Sequence, residues 1–334
     1  MKNVLLLSTI IFPLFCLSGC HAQTTIENNS LKLVATVPLP GVSGRIDHCA
    51  FDYKHKLIFV AALGNNSVEV VDLENRKVIY SIKNLHEPQG VVFIPESNSI
   101  FVANGGTGEC DVFKAESNYP LVSTIKLSGD ADNVRYDSIN KKIYVGYGDG
   151  RIAIIDAVNF KLLTQIKLSA HPESFQIDEK EKKIYVNVPG EKQVEVIDLE
   201  KNVVVDTWKM TTATSNFPMG IDPINHRLFI GCRHSPKLLV VNTQNGEIIT
   251  NLDIDSDTDD VFYDASSLQI YVSCGNGNVD VFNQVNANTY TNNGKISTRS
   301  GARTSLFIPQ LNQLIVASPA GSNRDASLLI YNKK

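Results

Sequence analysis

The chain has 334 residues, 43% hydrophobic and 20% charged, a balance that supports a large buried core and excludes disorder by composition. Lysine and arginine number 31 against 35 aspartates and glutamates, a formal net charge of −4, which gives no bulk electrostatic case for a nucleic-acid partner. The length would suit two domains, but all-β chains of this size also fold as one.

In chain order, Lys2 opens a short apolar run from Val4 to Phe15 that ends in Leu17-Ser18-Gly19-Cys20. The run is too short to span a bilayer by itself and has the layout of an export signal. Its ending resembles the lipobox of bacterial lipoproteins, in which a small-residue cleavage site is followed at once by the cysteine that receives the lipid. That resemblance implies a signal peptide over residues 1–19, lipidation of Cys20 and a polar tether over residues 20–30. It places the domain in the bacterial cell envelope, lipid-anchored and facing the periplasm. An ordinary secretory signal that stops at a cysteine is the alternative, and either one takes the chain out of the cytoplasm. No acidic run follows Cys20 to argue for the outer surface.

From residue 31 onward the sequence repeats itself. Each unit has a short apolar strand ending in Asp or Pro, a polar turn, an Ile-Tyr-Val-like strand, a Gly/Asn-rich turn, a Val-x-Val-Ile-Asp-like strand and one more strand. The second strand recurs at Ile58, Ile100, Ile143, Ile184, Leu228, Ile270 and Leu314, with successive starts 41 to 44 residues apart. The third recurs as Val68–Asp72, Ile152–Asp156, Val194–Asp198 and Val279–Phe282. β-branched residues dominate these runs, turn residues flank them, and no stretch sustains a 3.6-residue period. A period in the low forties with four strands per unit is that of a β-propeller blade. The seventh unit ends just after its third strand, Leu328–Tyr331, and its missing outer strand is found at Leu33–Leu39, which matches Leu121–Leu127 of the second unit. The expectation is all-β: seven four-stranded antiparallel blades over residues 31–334, the ring closed by the N-terminal strand, which removes an open sheet edge.

These repeated strands resemble the YVTN-type (YncE-like) seven-bladed propeller family, a WD40-like repeat architecture. Segments such as Asp130–Asn133, His171–Phe175, Asn216–Met219, Asp259–Asp264 and Gly301–Thr304 resemble its lipoprotein or periplasmic branch. The resemblance implies the fold and says little of function, because propellers host enzymes, binders and scaffolds alike.

Residues leading into each innermost strand should crowd the mouth of the central channel. Eleven positions before each second strand stand Asp47, Gln89, Asp132, Glu173, Phe217, Asp259 and Arg303; two positions earlier stand Arg45, Glu87, Asp130, His171, Ser215, Asp257 and Gly301. In an extended chain the two columns share one side. Further in, the character turns apolar, as at Val91, Phe93, Val134, Tyr136, Met219 and Val261. The second-to-third-strand turns should bring Arg233, His234 and Asn276 to the same face. The candidate ligand-binding residues are therefore Arg45, His48, His86, Asp132, Asn133, Arg233, Asp259 and Arg303, with an arginine side facing an acid and histidine side. Arginine forks suit a carboxylate or phosphate, and histidines titrate near neutral pH. The same charges are also placed to pair between blades, Asp259 and Asp260 with Arg303, and Asp47 with Arg45, in which case the funnel is architecture.

Other signals fail their own tests. The run Asp253, Asp255, Asp257, Asp259 and Asp260 begins like a calcium loop, but an EF-hand counted from Asp253 needs Gly at 258 and Glu at 264, where Thr258 and Asp264 stand. Hard oxygen donors leave a divalent metal open, yet no metal ligand set is assigned and no cofactor is called for. Cys232 and Cys274 share a slot on adjacent blades, where equivalent atoms lie beyond the ~7 Å Cα limit for a disulfide, so free buried thiols are expected, as at Cys49 and Cys110. Gly146-x-Gly148-x-Gly150 lies between two strands, not a strand and a helix, which removes a dinucleotide reading. Trp208, in an outer strand, is expected to serve packing.

The functional expectation is a membrane-tethered monomeric propeller that takes a small polar or anionic ligand, or a protein partner, through its channel mouth, without nucleic acid. The alternative is a propeller enzyme, similar in kind to streptogramin lyases or propeller lactonases, with His171 and Glu173 as catalytic candidates and a divalent metal. The lipid expectation has a direct check: Cys20→Ala should move the protein from the membrane to the soluble fraction, since a lipoprotein-type anchor carries several acyl chains where one alone holds only marginally. Retention of the variant in the membrane pellet contradicts it.

Overall fold

The computed structural model describes residues 30–334, so the expected signal, Cys20 and most of the tether lie outside the described residues. The described residues form seven four-stranded antiparallel sheets. Six are consecutive runs of sequence, and we number these blades 1 to 6; blade 7 combines strands Thr304–Ile308, Gln313–Ser318 and Ser327–Lys333 with the N-terminal strand Leu31–Pro38 as its outer edge. The closure expected from the sequence is met, with Leu31 opposite Lys333 and Pro38 opposite Ser327.

The repeat has a local physical cause. The residue ending the innermost strand in five blades, Asp52, Asp137, Asp178, Asp222 or Asp264, turns its carboxylate back to accept the backbone N–H two residues on. In blades 2 and 7 Pro95 and Pro309 begin a short 3-10 turn instead. Every one of these seven turns ends in a left-handed residue, Lys56, Asn98, Lys141, Lys182, His226, Leu268 or Asn312, at φ between 46° and 56°. The aspartate of the third strand repeats the device at Asp156 and Asp198, and Asp72 accepts instead from the N–H three residues on. A short side-chain oxygen that competes for local N–H groups is what makes aspartate favoured at both places.

The core is seven wedges. Each apolar cluster joins two neighbouring blades: Ile308 and Ile315 of blade 7 pack with Ile58 and Val60 of blade 1, and Tyr144 and Ile154 of blade 3 with Phe175 and Ile184 of blade 4. The Ile-Tyr-Val strands supply residues with almost no exposure, such as Ile143, Val145, Tyr185 and Tyr271. Trp208 packs in the outer strand of blade 4, stacked on Tyr185 with its Nε1–H donated to Asp206. Cys110, Cys232 and Cys274 are buried free thiols and Cys49 is partly buried; burial pushes the Cys232 thiol up to about 12. Among the described residues no helix is long and apolar enough to cross a membrane.

Removal of residues 31–38 takes away buried Leu31 and Val37 and leaves the Ser327–Lys333 strand as an open edge. The truncated chain should aggregate or melt many degrees lower in a thermal scan. An unchanged melting temperature contradicts closure by this strand.

Candidate functional site

Bulges in the innermost strands shape the mouth. Register slips fall between Pro88 and Val91, Ala131 and Val134, Asn216 and Met219, and Thr258 and Asp260, on blades 2, 3, 5 and 6. A bulge breaks the alternation of side chains and turns successive residues toward one space. Asp132 and Asn133, adjacent in sequence, accordingly border the same small pocket, together with Arg45, Asp47, His48, Glu173, Ser174, Phe217 and Asp259. Gly90 is required beside them: a Cβ there would stand 2.0 Å from the Asp132 carbonyl oxygen, so only glycine lets blade 2 approach so closely.

Three mouth arginines are already paired. The Arg45 guanidinium lies 2.5 Å from Asp47, which is 2% exposed. Asp259 of blade 6 is held from both sides, by Arg233 of blade 5 at 2.5 Å and by Arg303 of blade 7 at 2.9 Å. Arg303 also reaches Asp257 at 2.8 Å, while Arg233 donates Nε–H to the Thr258 carbonyl and stacks 3.8 Å over the Phe217 ring. His48 stands 3.7 Å from both Asp47 and Asp260. The acidic run from Asp253 is thus shared among separate cations, Asp253 with Lys237, Asp255 with Lys295, and Asp257 and Asp259 with arginines.

Asp132, His171 and Glu173 form a second group, with one ligating atom of each within 4.8 Å of the others. Burial, then the Asp47 and Glu173 charges, hold the Asp132 carboxyl well above the usual carboxylate range. Burial first, with the Asp259 charge adding to it, pushes Glu173 up to about 8.

Below the mouth lies an axial cavity of about 370 Å³. The apolar turn expected from the sequence is met in part, for Val91, Val134, Met219, Ile221, Val261 and Tyr263 border this cavity, but polar side chains share it. Val91, Val134, Phe175, Met219 and Val261 do belong to the wedges between blades. The alternate positions also line it, some apolar, as Val92, Phe262 and Leu306, and some polar, as Arg135, Gln176 and Asp260, with His48, Ser174 and Ser305 beside them. Arg135 stands eight positions before its second strand, one of the axis-facing phase that a count from the mouth column skips. Its guanidinium donates to the Val134 carbonyl at 2.9 Å and the Ser174 hydroxyl at 3.1 Å and lies 5.3 Å from the Phe175 ring centre. Among the described residues no carboxylate stands within 4 Å of it.

Of the residues singled out by sequence, Arg45, His48, Asp132, Asn133, Glu173 and Asp259 share one pocket, Arg233 and Arg303 join through Asp259, and His171 joins through Asp132 and Glu173. His86 does not join them. It is exposed in a separate surface depression with Gly41, Asn65 and Lys83, and its backbone N–H is tied to Asn104.

Comparison with known proteins speaks to the fold alone. A chain of a solved structure titled "Crystal Structure of Mitotic Checkpoint Complex" is similar to this one with a TM-score of 0.76 and 13% identity, over 98% of this chain and 99% of that one. No family model matches the chain, and no curated protein matches it.

Asp260 gives the site a measurable pH signature. Burial raises its carboxyl to about 7, against the opposing pull of His48 and of the Ser305 N–H, which it accepts at 2.7 Å. An unfolded aspartate ionises near ~3.9, so between about pH 4 and 7 the folded chain holds a proton that the unfolded chain has lost. Stability from this group is complete below that window and falls as pH rises through it. Asp260→Asn keeps the acceptor for Ser305 and should be more stable than wild type by a few kcal/mol at pH 8 and nearly equal to it at pH 4, as read from urea midpoints. Equal differences at both pH values contradict a raised Asp260.

Proposed function

We propose that the chain is an envelope-tethered binding propeller of the YVTN type that receives a small anionic ligand in the axial cavity below its acidic mouth. The repeated Ile-Tyr-Val and Val-x-Val-Ile-Asp strands support the YVTN assignment, and the lipobox-like Leu17–Cys20 supports the tether. The observation that carries the ligand reading is Arg135, a guanidinium set in the wall of a 370 Å³ cavity with two neutral acceptors and no acid partner. A buried cation left unpaired costs several kcal/mol, and an arginine fork matches a carboxylate or phosphate bidentately. The arginines expected from the sequence to hold the ligand, Arg45, Arg233 and Arg303, are engaged by Asp47, Asp257 and Asp259, which moves the anion site inward. The Ser174 hydroxyl and Gln176 amide offer neutral hydrogen bonds beside it. Near neutral pH Asp260 carries its proton for a substantial fraction of the time, so it can donate to a ligand that its anionic form would repel.

Small carboxylates and phosphates screened by thermal shift test this reading. Ligands that stabilise the wild type should lose about 2 kcal/mol of affinity, roughly thirtyfold, on Arg135→Met. The unliganded variant should melt no lower than wild type, because a desolvated cation has been removed. An undiminished response in Arg135→Met, or a wild type that responds to no anion, overturns the proposal.

A further inference from the structure

We propose that Asp132, His171 and Glu173 bind one divalent transition-metal ion of the Mn²⁺ or Zn²⁺ class at the channel mouth. The three come from two adjacent blades: Asp132 from the bulge of the blade 3 inner strand, His171 and Glu173 from the segment that enters blade 4. Their ligating atoms lie within 4.8 Å of one another, and two ligands held ~2.1–2.4 Å from one ion stand at most ~4–5 Å apart, so the set needs little closure.

Two observations independent of that clustering point to an occupant. Asp132 is 8% exposed, yet among the described residues its carboxylate forms no hydrogen bond and no ion pair; the Glu173 carboxylate beside it forms none either. Asn133, 3% exposed, has an Oδ1 with no partner, and it borders with Asp132 and Glu173, and with Arg45, Asp47 and Asp259, a space of about 20 Å³ that His171 adjoins through the two carboxylates rather than lines. Asp132 is buried and Glu173 partly so, and a buried carboxylate is ordinarily paired or holds a metal, because an isolated one is expensive to desolvate.

The histidine is prepared for ligation. Its Nδ1 lies 2.7 Å from the Gly148 carbonyl oxygen, which can only accept, so Nδ1 carries the hydrogen and the Nε2 lone pair is left for an ion. Asp130 adds a carboxylate 3.8 Å from Nε2. Arg45 and Arg233, the cations nearest the group, are neutralised by Asp47 and Asp259. One imidazole with two carboxylates favours manganese or zinc over calcium, which prefers oxygen alone, and over copper(I), which seeks sulfur. Arg135 takes no part in this site, so the metal and anion readings can fail separately.

The test uses the purified full-length protein stripped with chelator and titrated with MnCl₂, followed by electron paramagnetic resonance and calorimetry, with ZnCl₂ and CaCl₂ in parallel. The expected result is one Mn²⁺ or Zn²⁺ per chain bound more tightly than Ca²⁺, with affinity reduced at least tenfold in Asp132→Asn and in Glu173→Gln. Asp253→Asn, which alters an exposed acid paired with Lys237, should bind as wild type does. Should either carboxylate variant lose its cooperative melt, His171→Gln at the more exposed edge carries the same expectation. Substoichiometric uptake, or affinity unchanged in the site variants, or affinity lost equally in Asp253→Asn, overturns the proposal.

Discussion

No blade of this protein can bury itself. Each sheet has two apolar faces, and each apolar cluster is completed by a neighbour, from Ile308 against Ile58 at the seam to Phe229 against Val261 between blades 5 and 6. Stability is therefore a property of the closed ring, and closure depends on the first described strand pairing with the last. The N-terminal strand is tied in further by Leu39, fully buried, whose N–H donates to the Ala326 carbonyl. The axial cavity takes both kinds of side chain, apolar ones such as Val92 and Leu306 and polar ones such as Arg135 and Gln176.

That geometry concentrates charge. The segments entering the inner strands bring Asp47, Asp132, Glu173, Asp259 and Asp260 toward one axis, with Arg45, Arg233 and Arg303 among them. Asp259 is the keystone of the pairing: carried on blade 6 and gripped from blades 5 and 7, it links three sheets that share no backbone hydrogen bonds. Arginine suits this position because its planar fork can serve an acid and a carbonyl, or two acids, at once, as Arg233 and Arg303 do. Once these pairs are formed, Asp132 and Glu173 remain without counter-charge, and their raised proton affinity expresses that imbalance.

The ring was legible in the sequence because its devices are local. Asp52 and its equivalents cap turns, β-branched strands repeat at a near-constant period, and Leu33–Leu39 matches an outer strand, all within windows of a few residues. The mouth was legible in part, since counting back from the second strand reaches Asp47, Asp132, Glu173 and Asp259. The bulges were not legible: they shift the two-residue phase, so Asn133 joins Asp132 on one side and the axis-facing Arg135 escapes a reading that expects apolar residues beyond the mouth. His86 misled for a related reason. It stands one position before the column residue Glu87, and its side chain borders a separate surface depression with Gly41, Asn65 and Lys83.

The mouth and the cavity below it are electrostatically one system. Arg135 and Asp132 sit three residues apart on the same inner strand, and Arg135 feels the charges of Asp132 and Asp260 although neither pairs with it. While those acids are ionised they offset its field and oppose an anion in the cavity. Were both proposed sites filled, a cation that neutralises Asp132 would strengthen an anion at Arg135, and by reciprocity the anion would strengthen the hold on the cation. Such coupling would need no movement of the blades, because the two side chains stand three residues apart on one strand and interact directly.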